Sequence, residues 1–176
     1  FSNIKCFHLA ASAGSAYSNG LDCNVARLGI GLYGFNNSPK VKLDLKPVLQ
    51  MRSVVSSVKT IQAGEGVGYN LMFKSDKTMK IATVPVGYFE GVDRRLSNLG
   101  FFRINGINCP IVGRVSMNIT CIDVSAVPEV KLGDQVVIIS NETNDLNSAE
   151  NIAKSIGAIP YEIVVHIPQH LKRKII

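Results

Sequence analysis

Residues 101–112 read FFRINGINCPIV, two short β-branched and aromatic runs separated by Asn105-Gly106. Both turn residues tolerate the positive φ of a type I′ turn, so the stretch predicts a tight β-hairpin. The same vocabulary continues on either side, with VLQMRSVVSSVKTI (48–61) and MKIATVPV (79–86) upstream and ITCIDV (119–124) and QVVIIS (135–140) downstream. Each reads as a strand bounded by turn residues. One helix is predicted within NSAENIAKSIG (147–157): Ser148 or Asn147 caps it, Glu150 supports the cap and Gly157 ends it. A final strand is expected near YEIVVHI (161–167). From about residue 40 onward the chain therefore reads as a mainly β domain.

The first 36 or so residues differ from this. Lys5 to Leu9 is strand-like and leads into the small, polar AASAGSAYSNG. A second strand-like run, Val25 to Tyr33, is rich in glycine, and NNSPKVKLDLKP follows as a linker punctuated by Pro39 and Pro47. Two strands joined by about 15 residues suit one β-loop-helix-β piece of a parallel β/α architecture.

Composition narrows the function classes. Hydrophobic residues make up 46% of 176, as in ordinary globular protein. No run of about 18 apolar residues offers a spanning helix, and FSNIKCFHLA lacks the charged and apolar regions of a signal peptide. Cys6, Cys23, Cys109 and Cys121 lie far apart, without zinc-site spacing, and read as reduced, buried thiols of a cytoplasmic protein. His166 and His170 have no third ligand at plausible spacing, so no metal is expected. The net charge of +6 is spread along the chain except at Arg94-Arg95 and the terminal LKRK, which suits a local anion site better than a phosphate track. With seven Phe, five Tyr, no Trp and no aromatic-basic interleaving, a base-stacking surface is not expected.

Five segments carry a family resemblance: HLAASAG (8–14), ARLGIGLYG (26–34), GEGVGYN (64–70), VPVGYFEGVDRRLSN (84–98) and VGRVSMN (112–118). In this order and spacing they resemble the signatures of alanine racemase. The resemblance implies a C-terminal β-barrel-like domain at 39–176, preceded at 1–38 by the last strands of a truncated (β/α)8 barrel that holds pyridoxal 5'-phosphate. It also implies a cytoplasmic homodimer with shared active sites. The reaction implied is two-base interconversion of L- and D-alanine for D-alanine biosynthesis and peptidoglycan precursors, with no nucleic acid or membrane as partner.

The resemblance also assigns roles. Ser12 and the backbone NH groups of Gly29 and Ile30 are similar to the family's cradle for the cofactor phosphate, which suits hydroxyls and unblocked amides. Arg27 is similar to the residue facing the pyridine nitrogen; a guanidinium keeps its proton, so the ring becomes a weaker electron sink. Tyr69 resembles the base for the α-proton of L-alanine. A phenol with an ordinary pKa near 10 needs cationic or hydrogen-bonded partners for that task, and Arg114 and His8 are candidates. Met117 is similar to the residue whose backbone NH meets the substrate carboxylate, and Tyr88 resembles a tyrosine of the substrate passage. Glu90, Arg94 and Arg95 are expected to form structural pairs near that loop.

Three positions depart from the commonest pattern: Ala11 in place of Asn, Asn118 in place of Asp, and Gln169 in place of Tyr. The family's cofactor lysine lies in an N-terminal motif not found in these residues, so the resemblance implies inactivity of this chain alone. A decarboxylase of the same architecture is the first alternative, but that family sets a glutamate at the pyridine nitrogen where Arg27 stands. A non-catalytic β-barrel module binding nucleic acid is the second, which RNA binding at two salt concentrations distinguishes.

Overall fold

A computed structural model describes residues 3–17, 20, 22–36, 38 and 40–175. The chain forms two compact units, Phe1–Leu49 and Gln50–Ile176. In the first, the amides of Asn24 and Val25 donate to the Phe7 carbonyl at 3.0 and 3.1 Å, and the Arg27 amide donates to Ala10 at 3.2 Å. Ala11 and Arg27 form a parallel bridge, and the short helix α1 (Ser12–Ser15) leaves directly from it. The two segments thus run side by side in the parallel sense expected of a β-loop-helix-β unit.

The expected strands over Lys5–Leu9 and Val25–Tyr33 are not formed, however. Among the described residues only that single bridge joins them, and Ile30–Tyr33 closes into a 3-10 turn. A pair of extended segments has little stability without further strands, and Gly29 and Gly31 weaken a strand further. Gly34 ends the turn at φ +85°, and a Cβ there would lie 1.9 Å from the Lys46 carbonyl oxygen. Asn37 and Pro39 of the linker lie outside the described residues.

The second unit is mainly β. Its strands are β1 (Met51–Val54), β2 (Ser57–Ile61), β3 (Gly66–Val67), β4 (Phe73–Lys74), β5 (Met79–Val84), β6 (Phe101–Ile104), β7 (Ile107–Pro110), β8 (Thr120–Asp123) and β9 (Gln135–Ile139). They form a four-stranded sheet in the order β1-β9-β6-β7, a three-stranded sheet β2-β5-β8 and the pair β3-β4. All named pairings are antiparallel, and an Ile111–Ile122 bridge ties the end of β7 to β8.

The β6-β7 hairpin turns at Asn105 (φ 50°) and Gly106 (φ 79°), as its sequence predicts. Strand alternation buries Phe102 and Ile104, which join Ile122, Val84, Val86, Val115, Val124 and Val136 in the core. A second apolar cluster, Ile61, Val67, Met79, Ile81 and Val112, packs with Phe73 and Cys121. Val67 and Phe73 of this cluster flank the segment that carries Tyr69.

Helix α2 (Ala149–Ile156) begins at Ser148, whose hydroxyl accepts from the Asn151 amide, and ends at left-handed Gly157. Its buried Ile152, Ala153 and Ile156 recur at helical spacing. The segment expected as a last strand is instead a second helix, α3 (Pro160–Val165). Pro160 at the first helical position presets φ and can donate nothing to a ladder, Glu162 suits the positive end of the helix, and Ile163 is buried. These local and packing terms outweigh the β preference of Ile163, Val164 and Val165.

The four thiols are free, but only Cys109 is fully buried; Cys6 is exposed, contrary to expectation, because the first unit buries little of the segment that carries it. Burial pushes the Cys109 thiol up to about 11.

Candidate functional site

Tyr69 stands on a turn between β3 and β4. The backbone takes positive φ at three positions around it: Gly68 at 76°, Asn70 at 59° and Leu71 at 47°. Only Gly68 takes that conformation without steric cost. The phenol is held outward, 69% exposed. The turn leans on a second loop: a Cβ on Gly113 would lie 2.6 Å from the Val67 carbonyl oxygen, and one on Gly68 would lie 3.0 Å from the Arg114 nitrogen.

Asn98 fastens this contact, and Ser97 beside it holds the second loop. The Asn98 amide donates to the Met72 carbonyl at 3.1 Å, and its oxygen accepts the Gly113 amide at 2.6 Å. The Ser97 hydroxyl accepts the Val115 amide at 3.0 Å. The Arg114 guanidinium, expected to serve Tyr69, is directed at the Met72 sulfur, with Nε at 3.0 Å. Met72, Arg94, Arg95, Ser97 and Arg114 line an open hollow of about 340 Å³ beside the turn.

Tyr88 and Met117 come from loops far apart in sequence and are brought together by backbone contact. After β5 the chain reaches Gly87 and makes a 3-10 turn over Tyr88–Glu90. The amides of Tyr88 and Phe89 donate to the carbonyls of Ser116 and Met117, each at 3.0 Å. A Cβ on Gly87 would sit 2.1 Å from the Ser116 oxygen and 2.3 Å from that of Met117. Only glycine permits that approach. The Glu90 carboxylate accepts from the Gly87 amide and from the Asn118 side chain, both at 2.8 Å. Tyr88 and Met117 are 45% and 54% exposed. Phe89 stacks on His170 at 5.0 Å between ring centres.

The expected structural pairing is found for Arg95. It bonds Asp93 at 2.8 Å and the Ile156 carbonyl at 3.1 Å, tying the loop to the end of α2. That side-chain hydrogen bond is the main reason the Asp93 carboxyl lies below its ordinary range; partial burial opposes it.

In the first unit the Ser12 hydroxyl accepts from the amides of Gly29, at 2.9 Å, and Gly31, at 3.2 Å. Of the two amides expected at this cradle, that of Gly29 reaches Ser12, joined by that of Gly31, while Ile30 between them is buried. Nothing lies within 4 Å of an added Cβ on Gly29, so the approach to its backbone is open. The Arg27 guanidinium has no carboxylate partner among the described residues and meets only the Leu9 carbonyl, at 3.3 Å. The Ser12 hydroxyl and the Arg27 guanidinium are donors suited to an anion, while the Gly29 and Gly31 amides are directed at the Ser12 oxygen. His8 lies in an open hollow of about 460 Å³ with Cys6, Phe7, Leu9, Asp22 and Cys23.

Among the described residues, no group of three or more His, Cys, Asp or Glu is placed to hold a metal ion. No helix there is long and apolar enough to cross a membrane.

Residues 48–175 match the family model "Alanine racemase, C-terminal domain". An alanine racemase of Lactobacillus gasseri is 39% identical over 177 residues, covering 96% of this chain and 46% of that protein. The crystal structure of alanine racemase from Bacillus anthracis with bound L-Ala-P superimposes with a TM-score of 0.83 at 35% identity, over 93% of this chain and 43% of that one. The Bartonella henselae alanine racemase with covalently bound pyridoxal phosphate gives 0.83 at 31%, over 94% and 45%. The chain spans less than half the length of these relatives. With a family model matched over most of its length and the motif loops assembled around Tyr69 and Met117, the chain belongs to the alanine racemase family, and its residues 48–175 are that family's C-terminal domain.

Proposed function

We propose that the chain is the part of a pyridoxal-phosphate alanine racemase that supplies the base for the L-enantiomer and part of the phosphate cradle. The observation that carries this reading is the Tyr69 turn, a costly left-handed backbone that presents the phenol outward. Strain of this kind persists where the surroundings enforce it, and it clusters at functional sites. Family membership adds the chemical context.

Pyridoxal phosphate, when bound, supplies the electron sink that makes the substrate Cα–H acidic. Ser12, with the amides of Gly29 and Ile30 and the neighbouring Gly31, would hold its phosphate, and Arg27 would face the pyridine nitrogen. An arginine there keeps the nitrogen without a proton, so the proton at Cα must be handled by well-placed groups on both faces. Tyr69 serves one face, taking the α-proton of L-alanine or returning it. The second base belongs to a part of the protein outside these residues, and these residues alone are inactive. The Met117 amide meets the substrate carboxylate, and Tyr88 flanks the substrate's path.

Residues 1–38 are assigned to the end of the cofactor barrel and 39–176 to the C-terminal domain. The enzyme is proposed to be a cytoplasmic homodimer in which Ser12 and Arg27 serve one cofactor while Tyr69 and Met117 serve the other. Its product, D-alanine, would enter peptidoglycan precursors.

The test is Tyr69→Phe in the full-length enzyme, followed by α-deuterium exchange from each enantiomer. Loss of a general base should slow exchange from L-alanine by roughly 100- to 10,000-fold while exchange from D-alanine is affected least. Exchange from L-alanine at the parent rate would remove Tyr69 from the mechanism.

A further inference from the structure

We infer that Asn98 is a positioning residue for Tyr69, its side-chain amide holding the Tyr69 turn against the Gly113 loop. The inference rests on the reading of Tyr69 as the base. The Asn98 side chain bonds the turn through Met72 and the neighbouring loop through Gly113, and Ser97 beside it bonds Val115 of that same loop.

Within itself the turn is weakly tied. The Leu71 amide reaches the Gly68 carbonyl only at 3.4 Å, while Asn70 and Leu71 hold left-handed φ values that disfavour residues with a side chain. Such a conformation needs outside support. Asn98 provides it by donating to the Met72 carbonyl at the end of the turn. The partner at the other end of the amide is the backbone NH of Gly113, which packs so close to Val67 that no Cβ fits. Asn98 therefore ties the end of the turn to the loop that packs against its start.

The choice of residue is chemically narrow. The role needs one donor and one acceptor on the same short side chain, which an amide has and a carboxylate lacks. It also needs a residue that tolerates φ 57°, which asparagine does better than most. Asn98→Asp keeps the acceptor for Gly113 but turns a second oxygen toward the Met72 carbonyl, so that end of the bridge is lost. Asn98→Gly removes both bonds without straining the backbone.

Both variants are made in the full-length enzyme with its cofactor, alone and with Tyr69→Phe, and α-deuterium exchange is followed from each enantiomer. Misplacing a reacting group by about 1 Å can cost two orders of magnitude, so exchange from L-alanine should fall about 10- to 100-fold. Exchange from D-alanine should change by no more than about twofold, and in the Tyr69→Phe background Asn98→Asp should add little, because the base it positions is already gone. A readout independent of turnover is hydrogen exchange in the cofactor-free protein, where 66–74 should exchange faster while β5, β6 and β9 keep their protection.

Parent-rate exchange from L-alanine in both Asn98 variants overturns the inference. So does an equal loss on both faces that adds fully to Tyr69→Phe, since that is damage to the scaffold. If Tyr69→Phe itself leaves exchange from L-alanine untouched, the reading of Tyr69 falls and the positioning role for catalysis falls with it; faster hydrogen exchange confined to 66–74 would then mark Asn98 as a support of the turn only.

Discussion

The Asn118 side-chain amide donates to the Glu90 carboxylate at 2.8 Å, joining the loop of Met117 to that of Tyr88 across 28 residues of sequence. Glu90 spends its other oxygen on the Gly87 amide, so both halves of the carboxylate are committed. Asn118→Asp would set two carboxylates against each other at neutral pH and should cost about 1 kcal/mol at this partly exposed place. The penalty should fade on acidification, because two carboxylates set against each other lose their repulsion once one is protonated. The double variant Glu90→Gln with Asn118→Asp restores donor and acceptor in reversed order and should recover stability. Thermal unfolding against pH decides, and a single variant as stable as the parent at pH 7 would show the pair to be uncoupled.

Asp93 offers a second pH test. The Arg95 side chain holds its carboxyl below the ordinary range. A carboxyl whose pKa is depressed by folding adds stability above its unfolded pKa, about 3.9, and that stability is lost as pH falls through the folded value. Asp93→Asn should therefore be less stable than the parent at pH 6 to 7, and the gap should close below about pH 4. Because the Arg95 side chain is half exposed, added salt should narrow the gap at neutral pH. A gap that widened on acidification would contradict this account.

At the hairpin, Gly106→Ala should destabilise the domain by roughly 1 kcal/mol, because φ is +79° and alanine carries a Cβ into that region. Asn105→Gly, at φ 50°, should be close to neutral. Denaturant unfolding of both variants measures the difference, and the order of the two effects is the decisive result.

Cys109 should resist alkylation in the native protein at pH 8. Its thiol is fully buried and pushed up to about 11, so the reactive thiolate is scarce and out of reach. Iodoacetamide labelling followed by mass spectrometry should find Cys109 modified only after denaturation. Rapid labelling of the folded protein would mean that the β6-β7 hairpin opens readily.

The parts of the fold that were legible in the sequence are those with a local cause. Asn105-Gly106 fixes its turn by backbone tolerance, and Ser148 and Gly157 mark their helix ends through side-chain and left-handed capping. The run Ile163–Val165 misleads because its β preference is set aside by Pro160 and by the burial of Ile163, and only the first of these is visible locally. Val25–Tyr33 misleads for the opposite reason, since a strand-like segment needs partners to become a strand.

At the site, Tyr69, Tyr88 and Met117 stand in family motifs, but no periodicity or spacing marks them. What the sequence could not convey is the wiring. Asn98 meets Met72 across 26 positions, and the Tyr88 loop meets Ser116 through main-chain atoms that carry no residue identity. Asn98 left one signal, an asparagine in a tight loop after Ser97, which is a residue type that favours left-handed backbone.

The main-chain contact between the Tyr88 and Met117 loops bears on how this protein can change over generations. Two amides of one loop are matched in order to two carbonyls of the other, with Gly87 wedged at their start. Side chains on either loop can be exchanged without touching those bonds. Inserting or deleting a single residue in one loop would slide the amides past their acceptors and swing Tyr88 or Met117 to a new direction. Gene variants that alter the length of only one of the two loops should therefore be purged, and the loops should keep matched lengths in lineages whose sequences have otherwise drifted far apart.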